Sequence, residues 1–291
     1  MQIKEAMRKG MIKLKTNDVK EPNLKARLLM QYILNRPREY ILVHDDKQLT
    51  LRQNVDYFKL IKKLIEGVPL QHITHQQEFM KLMFYVDENV LIPRPDTEIL
   101  VEEVIKLAKN INAKKILDLC TGSGAIAVSL AKYIEGSQIT ATDISRKALS
   151  IAKLNATNNN VEDKITFVSS DLFQNISEEK YDIIVSNPPY IKRKVIKTLD
   201  EEVKREPIIA LDGGNDGLDF YKKIIGNAYQ YLKYKGYLCL EIGYDQKDEV
   251  IDLINKEEKY IDTYSKKDLF DNDRIVITKL GMLTNLMDEK Y

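Results

Sequence analysis

The string Asn187-Pro188-Pro189-Tyr190 combines a side-chain amide, a rigid backbone and an aromatic ring. It follows Tyr181–Ser186, an apolar run that predicts a buried strand, and open α/β sheets bind ligands at the carboxyl ends of their strands. The Asn187 side-chain oxygen and the Pro188 carbonyl could accept the hydrogens of a planar nitrogen group, on which Tyr190 could stack. These residue types suit transfer of a sulfonium methyl to an amide or amine nitrogen, which depends on alignment and electrostatics. A proline-rich turn is the structural alternative.

A second candidate site is a glycine-rich turn between an apolar run and a helical pattern, Cys120-Thr121-Gly122-Ser123-Gly124. Glycine lets the backbone approach a ligand closely, and the start of the following helix offers free N–H groups. Asp143 ends the next strand, where a carboxylate can accept both ribose hydroxyls of a nucleoside. Together they predict a nucleoside cofactor. The turn alone also fits a dinucleotide pattern or a purely structural tight turn.

The elements that must position these residues alternate between strand and helix patterns from residue 114 onward. Helical patterns begin near Gly124, Ser145, Leu218 and Gln246. The candidate strands are Lys115–Leu119, Gln138–Thr142, Ile165–Val168, Tyr181–Ser186, Tyr237–Ile242, Tyr260–Ser265 and Arg274–Lys279. This alternation predicts an α/β fold with a doubly wound, mostly parallel sheet of seven strands and helices on both faces.

The first 77 residues predict a small helical domain, because apolar residues recur there at helical spacing around Leu28 and Ile61. Residues 78–95 predict a β-hairpin linker with two short strands around Asp87-Glu88-Asn89. Within it, Pro95 restricts Arg94 to extended geometry. Residues 96–291 then form the predicted catalytic domain.

The rare residue types exclude several kinds of site. The chain of 291 residues has only 3 His, all before residue 80, and 2 Cys that lie far apart. The last two-thirds therefore cannot hold a Ser-His-Asp triad, a Cys-His dyad or a His-built zinc site, and no metal is expected. Isolated cysteines fit a reducing compartment, and neither a signal peptide nor a membrane-spanning run is present, so we expect a cytoplasmic protein.

The charge is distributed unevenly although the formal net charge is only +1. Residues 1–80 contain 15 Lys+Arg and 9 Asp+Glu, a net charge of +6, which leaves −5 for the remainder. A basic front part is compatible with an acidic or RNA-rich partner. Ordinary surface charge is the simpler interpretation.

These motifs resemble those of the class I methyltransferases that use S-adenosylmethionine, and more narrowly the bacterial release-factor glutamine N5-methyltransferases. Four further strings carry the resemblance: Gly67–Ile73, Val90–Glu98, Glu206–Leu218 and Asp268–Arg274. The resemblance implies a Rossmann-like catalytic domain, an N-terminal domain that docks class I peptide chain release factors, and methylation of the glutamine in their Gly-Gly-Gln loop. Neither nucleic acid nor membrane is an expected partner, and a monomer is expected.

Carried over by position, the resemblance implies a cofactor site formed by Cys120–Gly124, Asp143, Leu172 and Asn187. Asn187, Pro188, Pro189 and Tyr190 would bind the glutamine amide, with Asn187, Pro188 and Tyr190 as the catalytic residues. Arg94 and Glu98 would lie near the site, or alternatively form a salt-bridged linker.

Two residues depart from the family pattern. Cys120 stands where glycine is usual, and we expect φ < 0 there because a side chain is strained at positive φ. It is not expected to be a nucleophile, since no base lies near it in the sequence. Leu172 stands where a large aromatic residue is common, which leaves apolar contact but weakens stacking. No role is predicted for the tail after Leu280.

Three other enzymatic functions and a non-catalytic adaptor remain as alternatives. A ribosomal-protein glutamine methyltransferase has similar motifs, but the Gly67–Ile73 and Pro93–Glu98 strings favour the release-factor type. An adenine-N6 methyltransferase shares the Asn-Pro-Pro-Tyr string but needs a basic cleft, whereas residues 81–291 carry a net charge of −5. A nicotinamide dehydrogenase has no use for Asn187–Tyr190. A non-catalytic adaptor would need neither Asp143 nor Asn187, and both residues are present in this chain.

Overall fold

The computed structural model describes residues 1–282, so most of the tail after Leu280 lies outside the described residues. The chain forms two compact units, residues 1–76 with 200–205 and residues 77–199 with 206 onward. The helices are Ile3–Thr16 (α1), Pro22–Leu34 (α2), Arg38–Val43 (α3), Leu51–Ile65 (α4), Leu70–Thr74 (α5), Pro95–Ile111 (α6), Ala125–Tyr133 (α7), Arg146–Asn158 (α8), Arg193–Ile196 (α9), Glu201–Lys204 (α10), Asp219–Ala228 (α11) and Lys247–Asn255 (α12). The strands are Gln77–Phe79 (β1), Leu82–Phe84 (β2), Lys115–Leu119 (β3), Gln138–Asp143 (β4), Ile165–Ser169 (β5), Tyr181–Ser186 (β6), Leu232–Glu241 (β7), Tyr260–Lys267 (β8) and Asp273–Leu280 (β9).

The first unit is helical and includes a short segment from much later in the chain. Its core contains Leu14, Leu29 and Tyr57, all fully buried, and α4 begins with a capping box in which Thr50 accepts from the Gln53 N–H. Residues 200–205 join this unit through the ion pairs Lys20–Asp200 and Lys25–Glu202. The guanidinium of Arg205 also donates to the Glu66 carbonyl. The sequence patterns contain no sign of this grouping.

The β-hairpin at the start of the second unit turns at a position that differs from the prediction. β1 and β2 pair around Met80 and Lys81, whose φ angles are 51° and 59°, so the prediction of two strands around Asp87-Glu88-Asn89 was wrong. A turn does lie at those residues, where the Val90 N–H donates to the Asp87 carbonyl, but it does not join the two strands. Neither residue favours a left-handed turn by type. The turn is held by contacts distant in sequence, because Glu98 Oε1 accepts from the Met80 N–H at 2.6 Å and the Tyr133 hydroxyl donates to the Met80 carbonyl.

The main sheet has seven strands in the order β5-β4-β3-β6-β7-β9-β8. All neighbouring pairs are parallel except those made by β9, which is antiparallel to both β7 and β8. The predicted doubly wound, mostly parallel sheet is therefore confirmed. Because β3, β4 and β6 run in the same direction, their carboxyl ends lie at one edge of the sheet.

Alternating side chains of the central strands supply two cores, one on each face of the sheet. Ile116 and Ile183 face one core, to which α6, α7 and α8 contribute. Leu117 and Ile184 face the other, with α11 and α12. Strands buried on both faces are nearly continuous apolar runs, which is why their pattern was readable from the sequence. Their rigid packing supports the loops at the carboxyl edge.

Candidate active site

A cavity opens at the carboxyl edge of the sheet in the second unit. Of the residues singled out from the sequence, the lining includes Cys120, Gly122, Asp143, Leu172, Asn187 and Pro189. The lining does not include Thr121, Ser123, Gly124, Pro188 or Tyr190. The loop after β3 and the string after β6 thus contribute to one cavity.

The backbone of the loop after β3 turns sharply at Cys120. Its φ angle is 60°, so the expected negative φ was wrong. The physical reason lies in the neighbouring strand, because the Thr121 N–H donates to the Thr142 carbonyl at 2.8 Å and draws the chain over the end of β4. Burial raises the pKa of the Cys120 thiol, which keeps it protonated and argues against a nucleophilic role.

Asp143 joins the two loops that follow β3 and β4. Its Oδ2 accepts from the Gly122 N–H at 2.9 Å, and its Oδ1 accepts from the Ser145 N–H at 2.8 Å. Burial raises the pKa of this carboxyl, while the backbone donors oppose that shift. Each oxygen retains a lone pair, so the carboxylate can also receive hydroxyl groups of a ligand in the cavity.

The two glycines of the loop serve different purposes. A Cβ added at Gly122, where φ is +54°, would meet no atom within 4 Å among the described residues, so it would point into open space beside the cavity. A Cβ at Gly124, where φ is +80°, would lie 3.0 Å from the Ala152 Cβ. Gly122 therefore leaves room for a ligand, whereas Gly124 permits close packing of α7 against α8.

Asp118 is a buried carboxylate beside this loop, and no role was predicted for it from the sequence. It is 0% exposed, and its Oδ2 accepts from the Thr121 hydroxyl at 2.6 Å. Burial raises its pKa to about 7, against the effect of that hydrogen bond. Asp118 therefore fixes Thr121, and through it the path of the loop.

The remaining cavity wall is mostly apolar. Leu172 is buried with φ of 49° and packs against the second core. The lining also includes Ile144, Ile209 and Phe220, for which no role was predicted from the sequence. Ile144 directly follows Asp143, and this position after the predicted ribose-binding residue was the only signal that could have indicated it.

Asn187 is held at the end of β6 by a residue of α6. Its Nδ2 donates to the Thr97 hydroxyl oxygen at 3.2 Å, and Thr97 is only 4% exposed. The side-chain amide is thus anchored through its nitrogen. Thr97 belongs to the Pro93–Glu98 string, so the signal was present although no role was assigned to it.

Tyr190 is anchored at both its hydroxyl and its backbone. The hydroxyl donates to Glu241 Oε1 at 3.2 Å, and burial together with that carboxylate raises the pKa of Tyr190. A Cβ at Gly213 would lie 2.6 Å from the Tyr190 Cα, so only glycine allows this close approach. Gln246 Nε2 also donates to the Tyr190 carbonyl.

Arg94 and Glu98 do not pair with each other. Arg94 is extended, as Pro95 requires, and forms an ion pair with Glu206, whose side chain is 1% exposed. Glu206 Oε2 also accepts from the Ile92 N–H at 2.9 Å. Glu98 instead supports the hairpin turn at Met80. Arg94 therefore ties the segment before α6 to the loop that contributes Pro207 and Ile209 to the cavity.

Two family models match different segments of this chain. The PrmC N-terminal domain model matches residues 5–74, and the methyltransferase small domain model matches residues 95–206. A release factor glutamine methyltransferase of Clostridium acetobutylicum is 39% identical over 97% of this chain and 100% of its own length. The chain belongs to the release factor glutamine methyltransferase family. A second member, from Clostridium botulinum, is 38% identical over 95% of this chain and 98% of its own.

The solved structures agree with the fold. The hMettl16 catalytic domain, in complex with a 3'UTR hairpin, matches with a TM-score of 0.59 at 17% identity, covering 74% of this chain and 81% of that one. At this identity the likeness concerns the fold alone. None of the helices in residues 1–282 combines the length and the apolar character that a membrane span requires. The same residues contain no cluster of three or more His, Cys, Asp or Glu side chains arranged to hold a metal ion.

Proposed function

We propose that this chain methylates the side-chain amide nitrogen, N5, of the glutamine in the Gly-Gly-Gln loop of class I peptide chain release factors, with S-adenosylmethionine as methyl donor. The observation that carries the proposal is the anchoring of Asn187 through its Nδ2 at the cavity, in a chain of this family. With the nitrogen engaged by Thr97, the Asn187 oxygen is the end available to accept from a substrate amide.

The chemistry of the cavity lining supports S-adenosylmethionine as the cofactor. The free side of Gly122 leaves room for a ligand, and Asp143 has lone pairs for ribose hydroxyls. Leu172 supplies an apolar surface for the adenine. In this loop, Cys120 would contact the cofactor. Thr121, Ser123 and Gly124 would hold the loop in position. When bound, the cofactor supplies an electrophilic methyl group on a sulfonium.

The residues after β6 would bind and orient the glutamine amide. An amide nitrogen is a poor nucleophile because its lone pair is delocalised. Acceptance of its two hydrogens by Asn187 Oδ1 and the Pro188 carbonyl would favour loss of that delocalisation as the methyl is transferred. Pro188 and Pro189 restrict the backbone that aims this carbonyl. Tyr190, fixed by Glu241, would provide the planar surface beside the amide.

The two units suit a division of labour between docking and chemistry. We assign residues 1–77 to docking of the release factor, 78–95 to the hairpin linker and 96–291 to catalysis. The net charge of +6 in residues 1–80 is compatible with this assignment, because a basic surface attracts an acidic or RNA-associated partner. The proposal requires neither nucleic acid nor a membrane, and it places a monomeric enzyme in the cytoplasm.

Mass spectrometry of a class I release factor incubated with this protein and S-adenosylmethionine tests the proposal. We expect a gain of one methyl group on the glutamine of the Gly-Gly-Gln peptide. A release factor whose glutamine is replaced by alanine serves as the control and should stay unmodified. Methylated DNA, RNA or ribosomal protein together with an unmodified release factor would contradict the proposal.

A further inference from the structure

Two adjoining loops at the edge of the sheet where the cavity opens carry large, exposed hydrophobic side chains. Tyr244 is 67% exposed, Leu269 is 99% exposed and Phe270 is 85% exposed. Single exposed apolar residues are ordinary on protein surfaces. Two consecutive ones that are almost fully exposed, with an aromatic residue on the adjoining loop, indicate a surface that a partner covers. We call these three residues the apolar rim.

The strand topology places both loops of the apolar rim at the carboxyl edge of the sheet. The tyrosine lies in the loop after β7, and the other two residues lie in the loop that leads from β8 into β9. Glu241, the last residue of β7, pairs with Ile275 near the beginning of β9, so the two loops meet at this edge. The Ile242 N–H joins them, because it donates to the Arg274 carbonyl at 2.8 Å.

The loop after β7 is tied to the string after β6 that is proposed to bind the glutamine amide. Gln246 Nε2 donates to the Tyr190 carbonyl at 3.1 Å. Asp245 forms an ion pair with Lys192, two residues beyond the string, at 3.1 Å. Tyr244 directly precedes this ion pair in the sequence. The apolar rim is therefore continuous with the proposed substrate site.

The loop between β8 and β9 holds its two apolar residues in a fixed conformation. Asp268 Oδ1 accepts from the N–H groups of Phe270 and Asn272 at 2.8 Å and 2.9 Å. Asp268 Oδ2 accepts from Arg274 Nε at 3.2 Å. Arg274 in turn forms an ion pair with Asp96, in the first turn of α6, at 3.3 Å. A loop fixed in this way loses little conformational freedom when a partner binds.

Charged side chains beside the apolar rim are paired within the chain. Asp271 pairs with Lys267 at 2.9 Å, and Asp273 pairs with Lys247 at 3.1 Å, as Asp245 does with its own lysine. A nucleic acid would need cations that are available to phosphates. Because these lysines are engaged by carboxylates, the apolar rim suits the apolar surface of a protein.

We propose that the apolar rim docks the release factor beside its Gly-Gly-Gln loop, through apolar side chains of that protein. The inference rests on the proposed function. A glutamine side chain places its amide nitrogen only about 5 Å from its Cα, so the substrate backbone must reach the carboxyl edge when the amide enters the cavity. The two glycines before it offer no side chains to bind. Specificity for this protein therefore needs contacts beyond the tripeptide, and the apolar rim supplies them.

Truncation of the two consecutive residues tests the docking. L269A/F270A should raise the KM for the intact release factor by about 10- to 100-fold, as loss of an interface hot spot does. Its kcat at saturating release factor, and its KM for a short peptide that contains Gly-Gly-Gln, should stay within about threefold of the wild type, since the peptide does not reach the apolar rim. Tyr244→Ala should raise the KM for the release factor by about 3- to 10-fold.

Two matched variants separate docking from folding. L269M/F270Y retains the apolar surface and should keep the KM for the release factor within about threefold of the wild type. Tyr234→Ala removes a side chain that is 55% exposed near the beginning of β7, at the opposite edge of the sheet, and should leave this KM unchanged. An equal rise in KM for peptide and release factor in L269A/F270A, or a similar rise in Y234A, would overturn the docking.

Calorimetry of the release factor with this protein, without cofactor, separates the inference from the proposed function. Weaker binding in L269A/F270A than in the wild type supports the docking, and if the wild type then fails to methylate, only the proposed function is contradicted. Equal binding and equal KM would overturn the docking while methylation stands. A wild type that neither binds nor methylates the release factor contradicts both. Sedimentation of a wild-type dimer that L269A/F270A dissociates would assign the apolar rim to a second copy of this chain, against the docking.

Discussion

The two sides of the cavity are built in different ways. The loop after β3 is shaped by its own backbone, with positive φ at Cys120, Gly122 and Gly124 and a hydrogen bond from Gly122 to the end of the adjacent strand. The string after β6 is positioned by side chains far away in sequence, since Thr97 precedes Asn187 by 90 residues and Glu241 follows Tyr190 by 51. Binding on the first side therefore depends on the backbone conformation of the loop, and chemistry on the second depends on buried side-chain hydrogen bonds.

The largest expected effect is on the second side. Asn187→Ala should lower methyl transfer by about 10²- to 10³-fold, because it removes the acceptor for the substrate amide. S-adenosylmethionine Kd, measured by calorimetry, should change little, since the loop after β3 is untouched. The exposed helical Asn227→Ala is the control. Loss of cofactor binding in N187A would mean that the two sides are not separable as proposed.

On the first side, Asp143→Asn should weaken cofactor binding rather than the chemical step. Hydrogen bonds to a charged group contribute about 1.5–3 kcal/mol, so we expect Kd to rise by about 10- to 100-fold. At saturating cofactor, kcat should recover most of its value. Asp163→Asn, an exposed change in the same domain, provides the control in titrations and rate measurements. An unchanged Kd would remove Asp143 from the cofactor site.

Alanine substitutions at the two glycines of this loop distinguish an effect on ligand binding from an effect on packing. Gly124→Ala should lower the free energy of unfolding by about 2–3 kcal/mol, through positive φ and overpacking against Ala152. Gly122→Ala should cost only about 1–2 kcal/mol in stability, because its Cβ meets no atom. Its effect should instead be a weaker S-adenosylmethionine Kd. Urea unfolding and calorimetry measure the two quantities, and equal Kd values in the two variants would contradict this assignment.

The smallest expected effect is that of Cys120→Gly. Relief of the left-handed conformation is worth about 1–2 kcal/mol, offset by about 0.5–1 kcal/mol for the greater freedom of glycine in the unfolded chain. We expect the free energy of unfolding to change by no more than about 1.5 kcal/mol and the cofactor Kd to stay the same. Asn112→Gly, at φ of 51° on the surface, is the reference for the backbone effect alone. A large loss of affinity in C120G would show that the thiol contacts the cofactor productively.

The fold was predictable because buried parallel strands and their helices leave strong periodic patterns. The strand at Lys115–Leu119 has its predicted bounds, whereas β7 begins at Leu232 rather than Tyr237. Ser145 was predicted at the start of a helix, and its side chain accepts from the Ala148 N–H as an N-cap. The β-hairpin was predicted, but its turn was placed at the wrong residues. The position of the turn is decided by contacts with Glu98 and Tyr133, which are remote in sequence.

The sequence by itself determined the α/β class, the two candidate motifs and their meeting at one edge of the sheet. Each of these follows from local residue patterns and from the common direction of parallel strands. Only the tertiary structure decided the positive φ of Cys120, the inclusion of residues 200–205 in the helical unit, and the partners of Asn187 and Tyr190. Those features depend on hydrogen bonds between groups far apart in the chain, whose geometry no local pattern encodes.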